Sequence, residues 1–392
     1  MDIKNFLKKN KAPLYLTYVP YLACKYKGSL KRKAVFARFA CLTLKNGVVP
    51  FRVQRVADLY TKDWLDFKGT SSEQKKWAYN HGFSSYKMAP WYGITKDNYR
   101  DYVSDFDFYA ERNYIDQRDI MAWFEHKLNT YFLLSPYKKF LPVHYYYKYK
   151  RTFYPMDVPG HEPGSEDSIL KLLENHKLAA KACYGGHGVG FYKLEKGEHC
   201  YLVNGIKSDE EAVRKLLSGL NNYIITDYET PHPFFRELCG EDSFSVLRVI
   251  TVCDPQDGPQ LTCTVIRLGC IKAGITSDHE GTIYCGITLD EGISFKPLYR
   301  VADNLYEPCA VHPDTGKPLE GFSLPNFDLL KTTVLSISRY LPMTPYLVMD
   351  IIPTESGFSI LEINSHGQVG NVEPFYPFCK NPYNRGAFKI EY

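Results

Sequence analysis

Two apolar runs near the C-terminus, YLVMDII and FSILEI, constrain the fold more than any other feature of this 392-residue chain. Because Glu355-Ser356-Gly357 lies between them, a three-residue turn with Gly357 in the left-handed conformation is predicted to join them as a β-hairpin. That register places Asp350 opposite Glu362. Successive side chains of a strand alternate between its faces, so Glu362 and Asn364 share one face. The sequence therefore predicts three oxygen-bearing side chains on one face of a hairpin.

These three side chains, Asp350, Glu362 and Asn364, are candidate metal ligands. Carboxylate and amide oxygens suit Mg²⁺, above all where the ion also binds nucleotide phosphates. The alternative is two acids that face water from an edge hairpin. The apolar neighbours of each acid favour the metal site, because continuous apolar runs are typical of buried strands.

A second feature, KACYGGHGVGF at 181–191, is predicted to form a strand, a glycine turn and a second strand. Its glycines are Gly185, Gly186, Gly188 and Gly190. The exposed N–H groups of such a turn can close over a triphosphate, and Lys181 would neutralise its charge. The segment lacks the Gly-Lys-Ser/Thr of a P-loop, and a strand follows where a dinucleotide-binding fingerprint needs a helix. By itself the segment fits a plain hairpin turn equally well.

Three further basic residues stand out. Lys127 lies in a predicted helix, where a lysine usually faces water. Arg248 in SVLRVITV and Arg267 in TVIRLGC each interrupt an apolar strand. A central-strand arginine needs a partner, which an anionic ligand or the carboxylate cluster would provide.

The hydrophobic pattern predicts the elements between these motifs. Helices are predicted over 119–134, 165–177, 208–222 and 324–342. In the first helix the apolar stripe is Ile120, Trp123, Phe124 and Leu128. Ser208 and Glu211 are predicted to form a capping box at the start of the third helix. Residues 1–115 are predicted to be mostly helices and loops, and strand-like runs fill much of 223–290.

The order of these features along the chain resembles that of the ATP-grasp superfamily. The order is a helix lysine, a strand lysine, a glycine turn, a helix, a strand, and then Asp and Glu-x-Asn. The second half is similar to the sugar-transfer-associated ATP-grasp family of bacterial surface-polysaccharide clusters. The resemblance covers about 120–375 and rests on seven segments in the same order. These are 126–142, 181–191, 223–233, 243–252, 265–269, 312–327 and 349–364.

This resemblance implies an α+β fold, in which two α+β lobes hold ATP between antiparallel sheets, with a mostly helical basic N-terminal extension. The implied domains are 1–115, the basic and aromatic N-terminal region, 116–235, the N-lobe with the glycine-rich lid, and 236–392, the C-lobe with the magnesium site.

The resemblance also implies a role for each candidate residue. Lys127 and Lys181 would contact the phosphates of ATP, and the lid, Gly185, Gly186, Gly188 and Gly190, would close over them. Asp227 and Tyr228 would form the hinge that holds adenine, largely through backbone atoms. The implied Mg²⁺ ligands are Asp350, Glu362 and Asn364. Arg248 and Arg267 would stabilise the transferred phosphate and the anionic intermediate.

The implied activity is that of an ATP- and Mg²⁺-dependent carboxylate–amine ligase, which forms a carbon–nitrogen bond through an acyl-phosphate. The family context points to an amide on a sugar acid or an amino acid in surface polysaccharide biosynthesis. One alternative is an ATP-dependent kinase of a sugar or polyol hydroxyl, because the same site can transfer phosphate to oxygen. Another is a non-catalytic nucleotide-binding scaffold.

The charge is distributed unevenly along the chain. Residues 1–55 hold 13 Lys or Arg and one acid, Asp2, whereas the whole chain has a net charge of +4. Such a segment could meet anionic lipid, a polyanionic glycan or a protein partner, and the alternative is a solvated basic face. No nucleic-acid reader motif accompanies the charge, so a nucleic-acid partner is not expected.

The cellular compartment is predicted from three sequence features: apolar run length, the N-terminal pattern and the cysteine spacing. The sequence has neither an apolar run of membrane-spanning length nor the pattern of a secretory leader, and its eleven cysteines form no C-x-x-C pair. A cytoplasmic protein with reduced cysteines is therefore expected, in peripheral contact with an anionic membrane if residues 1–55 serve that purpose.

Overall fold

The computed structural model describes residues 14–115, 118–158, 162–185, 188–241, 243–273, 279–365 and 367–390. The chain divides into two compact units. The first contains 1–117, 302–307 and 368–392, and the second contains 118–301 and 308–367. The chain therefore leaves the first unit and returns to it twice.

The α-helices are α1 (Val19–Lys25), α2 (Leu30–Lys45), α3 (Pro50–Asp66), α4 (Ser72–Asn80), α5 (Asp105–Ile115), α6 (Arg118–Glu125), α7 (Lys127–Leu133), α8 (Glu166–Leu172), α9 (Glu210–Gly219), α10 (Pro233–Cys239), α11 (Phe327–Tyr340) and α12 (Pro382–Ala387). A π-helical turn covers Leu14–Tyr18. Short 3₁₀ helices cover Ser85–Met88, Tyr99–Asp101, Ser135–Phe140, Ile271–Ala273 and Phe378–Lys380. The N-terminal region is thus mostly helical, as predicted.

The strands are β1 (His144–Tyr149), β2 (Thr152–Pro155), β3 (Leu178–Ala182), β4 (Phe191–Lys196), β5 (Tyr201–Val203), β6 (Ile206–Ser208), β7 (Tyr223–Asp227), β8 (Ser245–Asp254), β9 (Gly258–Leu268), β10 (Ile283–Ile287), β11 (Ser294–Ala302), β12 (Leu305–Pro308), β13 (Tyr346–Thr354) and β14 (Gly357–Asn364). In the described part of the chain they form two sheets, ordered β2-β1-β7-β3-β4-β5-β6 and β12-β11-β10-β9-β8-β13-β14. The paired strands whose register is defined run antiparallel, as the predicted α+β architecture requires.

Aromatic rings form the interior of the first unit. Phe39 of α2, Tyr60 of α3 and Tyr79 of α4 lie with ring centroids 5.2–5.4 Å apart, and Phe106 of α5 stacks on Tyr60 at 5.0 Å. Aromatic pairs at such distances add to the stabilisation from burial. The first unit therefore uses aromatic side chains where many helical folds use leucine.

A buried charge network also belongs to the first unit. Glu373 is fully buried, and it accepts hydrogen bonds from Lys87 Nζ at 3.0 Å, Tyr92 Oη at 2.5 Å and the backbone N–H of Val103 at 2.8 Å. Burial alone would lower the pKa of Lys87, but the carboxylates of Asp105 and Glu373 raise it overall. The network thus ties the C-terminal segment to the N-terminal helices.

Each sheet of the second unit packs one face on helices. In the first sheet, Leu178 and Ile225 pack with Ile169 of α8 and Val213 of α9. In the second sheet, the buried apolar residues, such as Leu247, Val249, Met349 and Ile363, join Val334 and Ile337 of α11 in one core. Because strand side chains alternate, the residues between these apolar positions lie on the opposite faces.

Two predicted helices differ in detail from the structure. The helix predicted over 119–134 is broken at His126, whose backbone is extended, because the N–H of Lys127 instead donates to the carbonyl of Cys183 at 2.9 Å. Trp123 of the predicted apolar stripe is 53% exposed, whereas its neighbour Phe124 is buried. The helix predicted over 165–177 ends at Leu172.

The predicted capping box is wrong by one residue. Asp209, not Ser208, caps α9, and its carboxylate accepts from the N–H of Ala212 at 2.7 Å. Ser208 instead ends strand β6, which takes it out of the capping position.

All eleven cysteines are free, as expected from their spacing. Among the described residues, no helix is long and apolar enough to cross a membrane.

Candidate active site

One face of the second sheet carries a row of polar side chains from four neighbouring strands. The row consists of Arg267 on β9, Arg248 on β8, Asp350 on β13, and Glu362 and Asn364 on β14. Their chain neighbours belong to the core beneath the sheet, so alternation places the polar residues on the other face. The antiparallel register thus assembles residues that lie far apart in the sequence.

Asp350 is the centre of this row. It pairs with Arg248 on one side and with Glu362 on the other. Arg248 donates two bonds to it, from Nε to Oδ1 at 3.1 Å and from Nη2 to Oδ2 at 3.0 Å, and Arg267 Nη2 lies 3.0 Å from Oδ1. Burial would raise the pKa of Asp350, but the two guanidinium groups lower it overall. Asp350 is therefore the carboxylate partner of both strand arginines, and it is ionised at neutral pH.

One N–H donor of Arg267 is not used by the protein contacts of the described residues. Its side chain is only 6% exposed, and within the described part of the chain its buried Nε has no hydrogen-bond partner. A buried guanidinium N–H without an acceptor is costly, and an oxyanion bound at this face would satisfy it.

The predicted pairing of Asp350 with Glu362 is confirmed, but the predicted turn is wrong. Thr354 pairs with Gly357, so the turn contains two residues rather than three. The register then shifts between Asp350 and Ile351, where β14 accommodates the extra residue Leu361 as a bulge. The shorter turn and the bulge compensate each other, and so the same two carboxylates face each other.

Glu362 is the more accessible of the two carboxylates. Its side chain is 26% exposed, and it accepts from Asn364 Nδ2 at 3.2 Å. Lys127 Nζ, at the start of α7, lies 3.4 Å from Glu362 Oε2 and also donates to the carbonyl of Gly185 at 2.6 Å. Lys127 therefore connects the glycine turn of the first sheet with the candidate metal ligands of the second.

Lys181 lies on the face of the first sheet opposite the α8–α9 core. Burial lowers the pKa of Lys181 to about 8, although the carboxylates of Glu229 and Glu362 act in the other direction. Burial also raises the pKa of Glu229, which accepts from Ser359 Oγ of β14 at 3.2 Å. The charges of Glu229, Glu362 and Lys127 thus all act on Lys181.

Glu229 was missed by the sequence reasoning. It lies two residues beyond the predicted hinge residue Asp227, in a loop where an isolated acid carries no signal. Only its position beside Lys181 and Ser359 marks it as part of the site.

The glycine turn joins β3 to β4, as predicted. Gly185, Gly188 and Gly190 have φ values of +109°, +70° and +74°, a region that favours glycine. A Cβ at Gly190 would also lie 2.6 Å from Tyr223 Oη. Gly186 lies outside the described residues, as does His187 at the tip of the turn.

The predicted hinge has much of its hydrogen bonding satisfied within the protein. The N–H of Asp227 donates to the carbonyl of Val143 at 2.9 Å, and that of Tyr228 donates to Lys177 at 2.8 Å. The Asp227 carboxylate accepts from Tyr145 Oη at 2.9 Å. Base recognition by Asp227 and Tyr228 would therefore have to use groups other than these two N–H donors.

Among the described residues, no group of three or more His, Cys, Asp or Glu side chains is arranged to hold a metal ion. Mg²⁺ seldom uses such an all-protein cage, because it keeps waters and binds through one or two carboxylates plus substrate phosphates. Glu362 with Asn364 beside it fits that description. Asp350 retains unused lone pairs, although its oxygens already accept from both arginines.

Two antiparallel sheets, with Lys181 and the glycine turn on one and Asp350 and Glu362 on the other, are the architecture that the resemblance to the ATP-grasp superfamily implies. The model of the family described as sugar-transfer associated ATP-grasp matches residues 115–373, and the chain belongs to this family.

Comparison with solved structures gives more distant likenesses. An ADP complex of N5-carboxyaminoimidazole ribonucleotide synthetase shares 10% identity, over 64% of this chain and 46% of that chain, with a TM-score of 0.33. A D-alanine–D-alanine ligase from Bacillus anthracis shares 11% over 62% and 57%, with a TM-score of 0.32. A VanG D-Ala:D-Ser ligase from Enterococcus faecalis shares 14% over 62% and 53%, with a TM-score of 0.35. Each of these matches spans about half of the other chain. A separate comparison with curated proteins found no match.

Proposed function

We propose that the second unit is an ATP- and Mg²⁺-dependent carboxylate–amine ligase that works through an acyl-phosphate. The observation that carries the proposal is the position of Lys127, which contacts both the glycine turn at Gly185 and the carboxylate of Glu362. A nucleotide whose phosphates lie beside Lys127 and Lys181 would also lie beside Glu362. Membership of the ATP-grasp family supports this reading.

Glu362 and Asn364, with Asp350 beside them, are the residues that would hold Mg²⁺. When bound, the ion would supply positive charge to the oxygens of the transferred phosphoryl group. Lys127 and Lys181 would bind the same phosphates from the other sheet. Glu229, whose charge acts on Lys181, would help to keep that lysine protonated.

In the proposed reaction, a carboxylate oxygen of the substrate attacks the γ-phosphorus of ATP, and ADP leaves. An amine then attacks the carbonyl carbon of the acyl-phosphate, so that inorganic phosphate and a proton leave as the amide forms. Arg248 and Arg267, aligned by Asp350, would bind the oxyanion of the tetrahedral intermediate. The unsatisfied Nε of Arg267 supports this role.

For the substrate, we propose the carboxylate of a sugar acid or an amino acid, with an amide formed during surface polysaccharide biosynthesis. This step rests on the family's association with sugar transfer.

Trapping with hydroxylamine tests the proposed chemistry. With ATP, Mg²⁺ and candidate sugar acids or amino acids, we expect a hydroxamate, because hydroxylamine captures an acyl-phosphate. Exchanging Lys181 for methionine is expected to abolish hydroxamate formation, whereas the matched control Lys171→Met, at an exposed position on α8, should retain it. A stable phosphorylated product without hydroxamate would identify a kinase. Lack of turnover across all candidates, with nucleotide binding intact, would favour a scaffold.

A second test uses the pKa of Lys181, which is about 8 instead of the ordinary 10.5. Bound phosphates would raise this pKa, so binding takes up a proton above about pH 8. The affinity for Mg·ADP should then be constant below about pH 8 and fall by up to roughly tenfold per pH unit above it. Calorimetric titrations in buffers of different ionisation enthalpy would measure both effects. Lys181→Arg should bind without that pH dependence; an unchanged pH profile in this variant would rule Lys181 out as its source.

A further inference from the structure

Three exposed large apolar side chains lie on the first elements of the described chain, the π-helical turn, α1 and α2, and α1 packs on both of the others. Leu16 is 77% exposed, Tyr21 is 53% exposed and Leu30 is 87% exposed. They belong to the segment 14–34, here called the α1–α2 corner, which contains the π-helical turn, α1, the loop 26–29 and the first turn of α2. Single exposed apolar residues are ordinary, but a group of them indicates an interaction surface.

The α1–α2 corner is also purely basic. No Asp or Glu occurs between Asp2 and Asp58 in the sequence. Lys25, Lys27 and Lys31 are exposed on the corner beside the apolar residues, and Lys25 Nζ contacts Tyr21 Oη at 2.5 Å. The surface therefore combines protruding apolar groups with positive charge.

Internal contacts hold the corner in a fixed shape. The ring of Tyr26 stacks on Phe36 at 4.1 Å, and its hydroxyl donates to Asp58 of α3. Arg32 forms a salt bridge with Asp66 at 2.6 Å, and Lys33 Nζ donates to the carbonyl of Cys24 at 2.9 Å. The half-buried basic residues therefore hold the helices together, while the exposed lysines keep their charge at the surface.

We propose that the α1–α2 corner docks on the surface of an anionic lipid bilayer. Leu16, Tyr21 and Leu30 enter the headgroup region, and Lys25, Lys27 and Lys31 meet the lipid phosphates. Apolar and aromatic side chains among lysines are the combination that binds reversibly at such an interface. A soluble polyanion would use the lysines but would leave the exposed leucines without a role. The proposal does not depend on the proposed ligase activity.

Vesicle sedimentation of the full chain tests the charge contribution. We expect binding to vesicles of phosphatidylcholine and phosphatidylglycerol, weaker binding at high salt, and little binding to phosphatidylcholine alone. The triple variant Lys25→Glu, Lys27→Glu and Lys31→Glu should bind roughly a hundredfold less, because each lysine near an anionic surface contributes about fivefold. The control variant changes the same number of exposed lysines in the second unit: Lys171→Glu, Lys207→Glu and Lys215→Glu.

The apolar contribution is tested separately with Leu16→Gln and Leu30→Gln. Their combination should weaken binding by roughly tenfold or more, since two buried leucine side chains are lost. Ile206→Gln, at an exposed apolar position of β6, is the control and should bind normally. Leu30→Trp adds a direct readout, because brominated lipids should quench its fluorescence.

Several results would overturn the proposal. They are failure to bind anionic vesicles, equal loss in the corner and control variants, and a Trp at position 30 that brominated lipid does not quench. Binding to heparin with none to vesicles would assign the surface to a soluble polyanion instead. Circular dichroism of each variant checks that its fold is retained.

Discussion

Glu362→Gln is expected to lower ATP turnover by on the order of a thousandfold, while the fold remains intact. The change keeps the size of the side chain but removes its charge. Loss of a group that stabilises transition-state charge through a metal costs several kcal/mol, which corresponds to such a factor. Because Glu362 is partly exposed, its pairing with Lys127 contributes little to stability, about 1 kcal/mol or less. Steady-state turnover and thermal unfolding would be measured together.

The matched control for this prediction is Glu355→Gln. Glu355 lies at the exposed turn of the same hairpin and faces none of the site residues. Its substitution should leave turnover within about twofold of the unchanged protein. If Glu362→Gln turned over ATP at the normal rate, Glu362 would not be a metal ligand.

Glu373→Ala is expected to destabilise the first unit by about 3–5 kcal/mol. The substitution removes the carboxylate that accepts from Lys87, Tyr92 and the N–H of Val103. These donors are buried, so they cannot regain water without local opening. Lys87 would retain the carbonyl of Val103 at 3.2 Å and, as its one carboxylate partner, the longer contact to Asp105 at 3.4 Å. Equilibrium denaturation in urea would show the loss.

The control for Glu373 is Glu73→Ala, in the same unit. Glu73 is 84% exposed and lies 3.5 Å from Lys96, so removing it should cost at most about 1 kcal/mol. Similar denaturation midpoints for the two variants would mean that the buried network contributes no more than a surface pair.

Glycine and strand patterns predicted much of the second unit. The apolar run of β13 predicted a buried strand around Asp350. Because Glu362 and Asn364 are two residues apart on β14, they were predicted to share a face. The pairing of Asp350 with Glu362 is correct although the turn was not, because a bulge at Leu361 restores the register. The local sequence defines which side chains of a strand share a face. It does not define the turn length, because a two-residue turn with a bulge and a three-residue turn without one pair the same residues.

Long-range contacts explain what the sequence did not predict. The break at His126 depends on the carbonyl of Cys183, which lies far along the sequence, directly after β3. Periodicity cannot detect such a competitor for a backbone N–H, and so it predicted one continuous helix. Glu229 likewise could not be assigned to the site from the sequence, because only the folded chain shows its hydrogen bond with Ser359 and its charge interaction with Lys181.

By itself, the sequence determined the strand alternation that gathers the carboxylates, the glycine turn between two strands and the basic character of the N-terminal region. These follow from local backbone geometry and composition. Only the tertiary structure decided that Asp350 forms ion pairs with two arginines and that Lys127 contacts both Gly185 and Glu362. It also decided that Glu373 is buried and accepts a hydrogen bond from Lys87. These contacts join residues tens to hundreds of positions apart. Their energies depend on distance and burial, which only the folded chain defines.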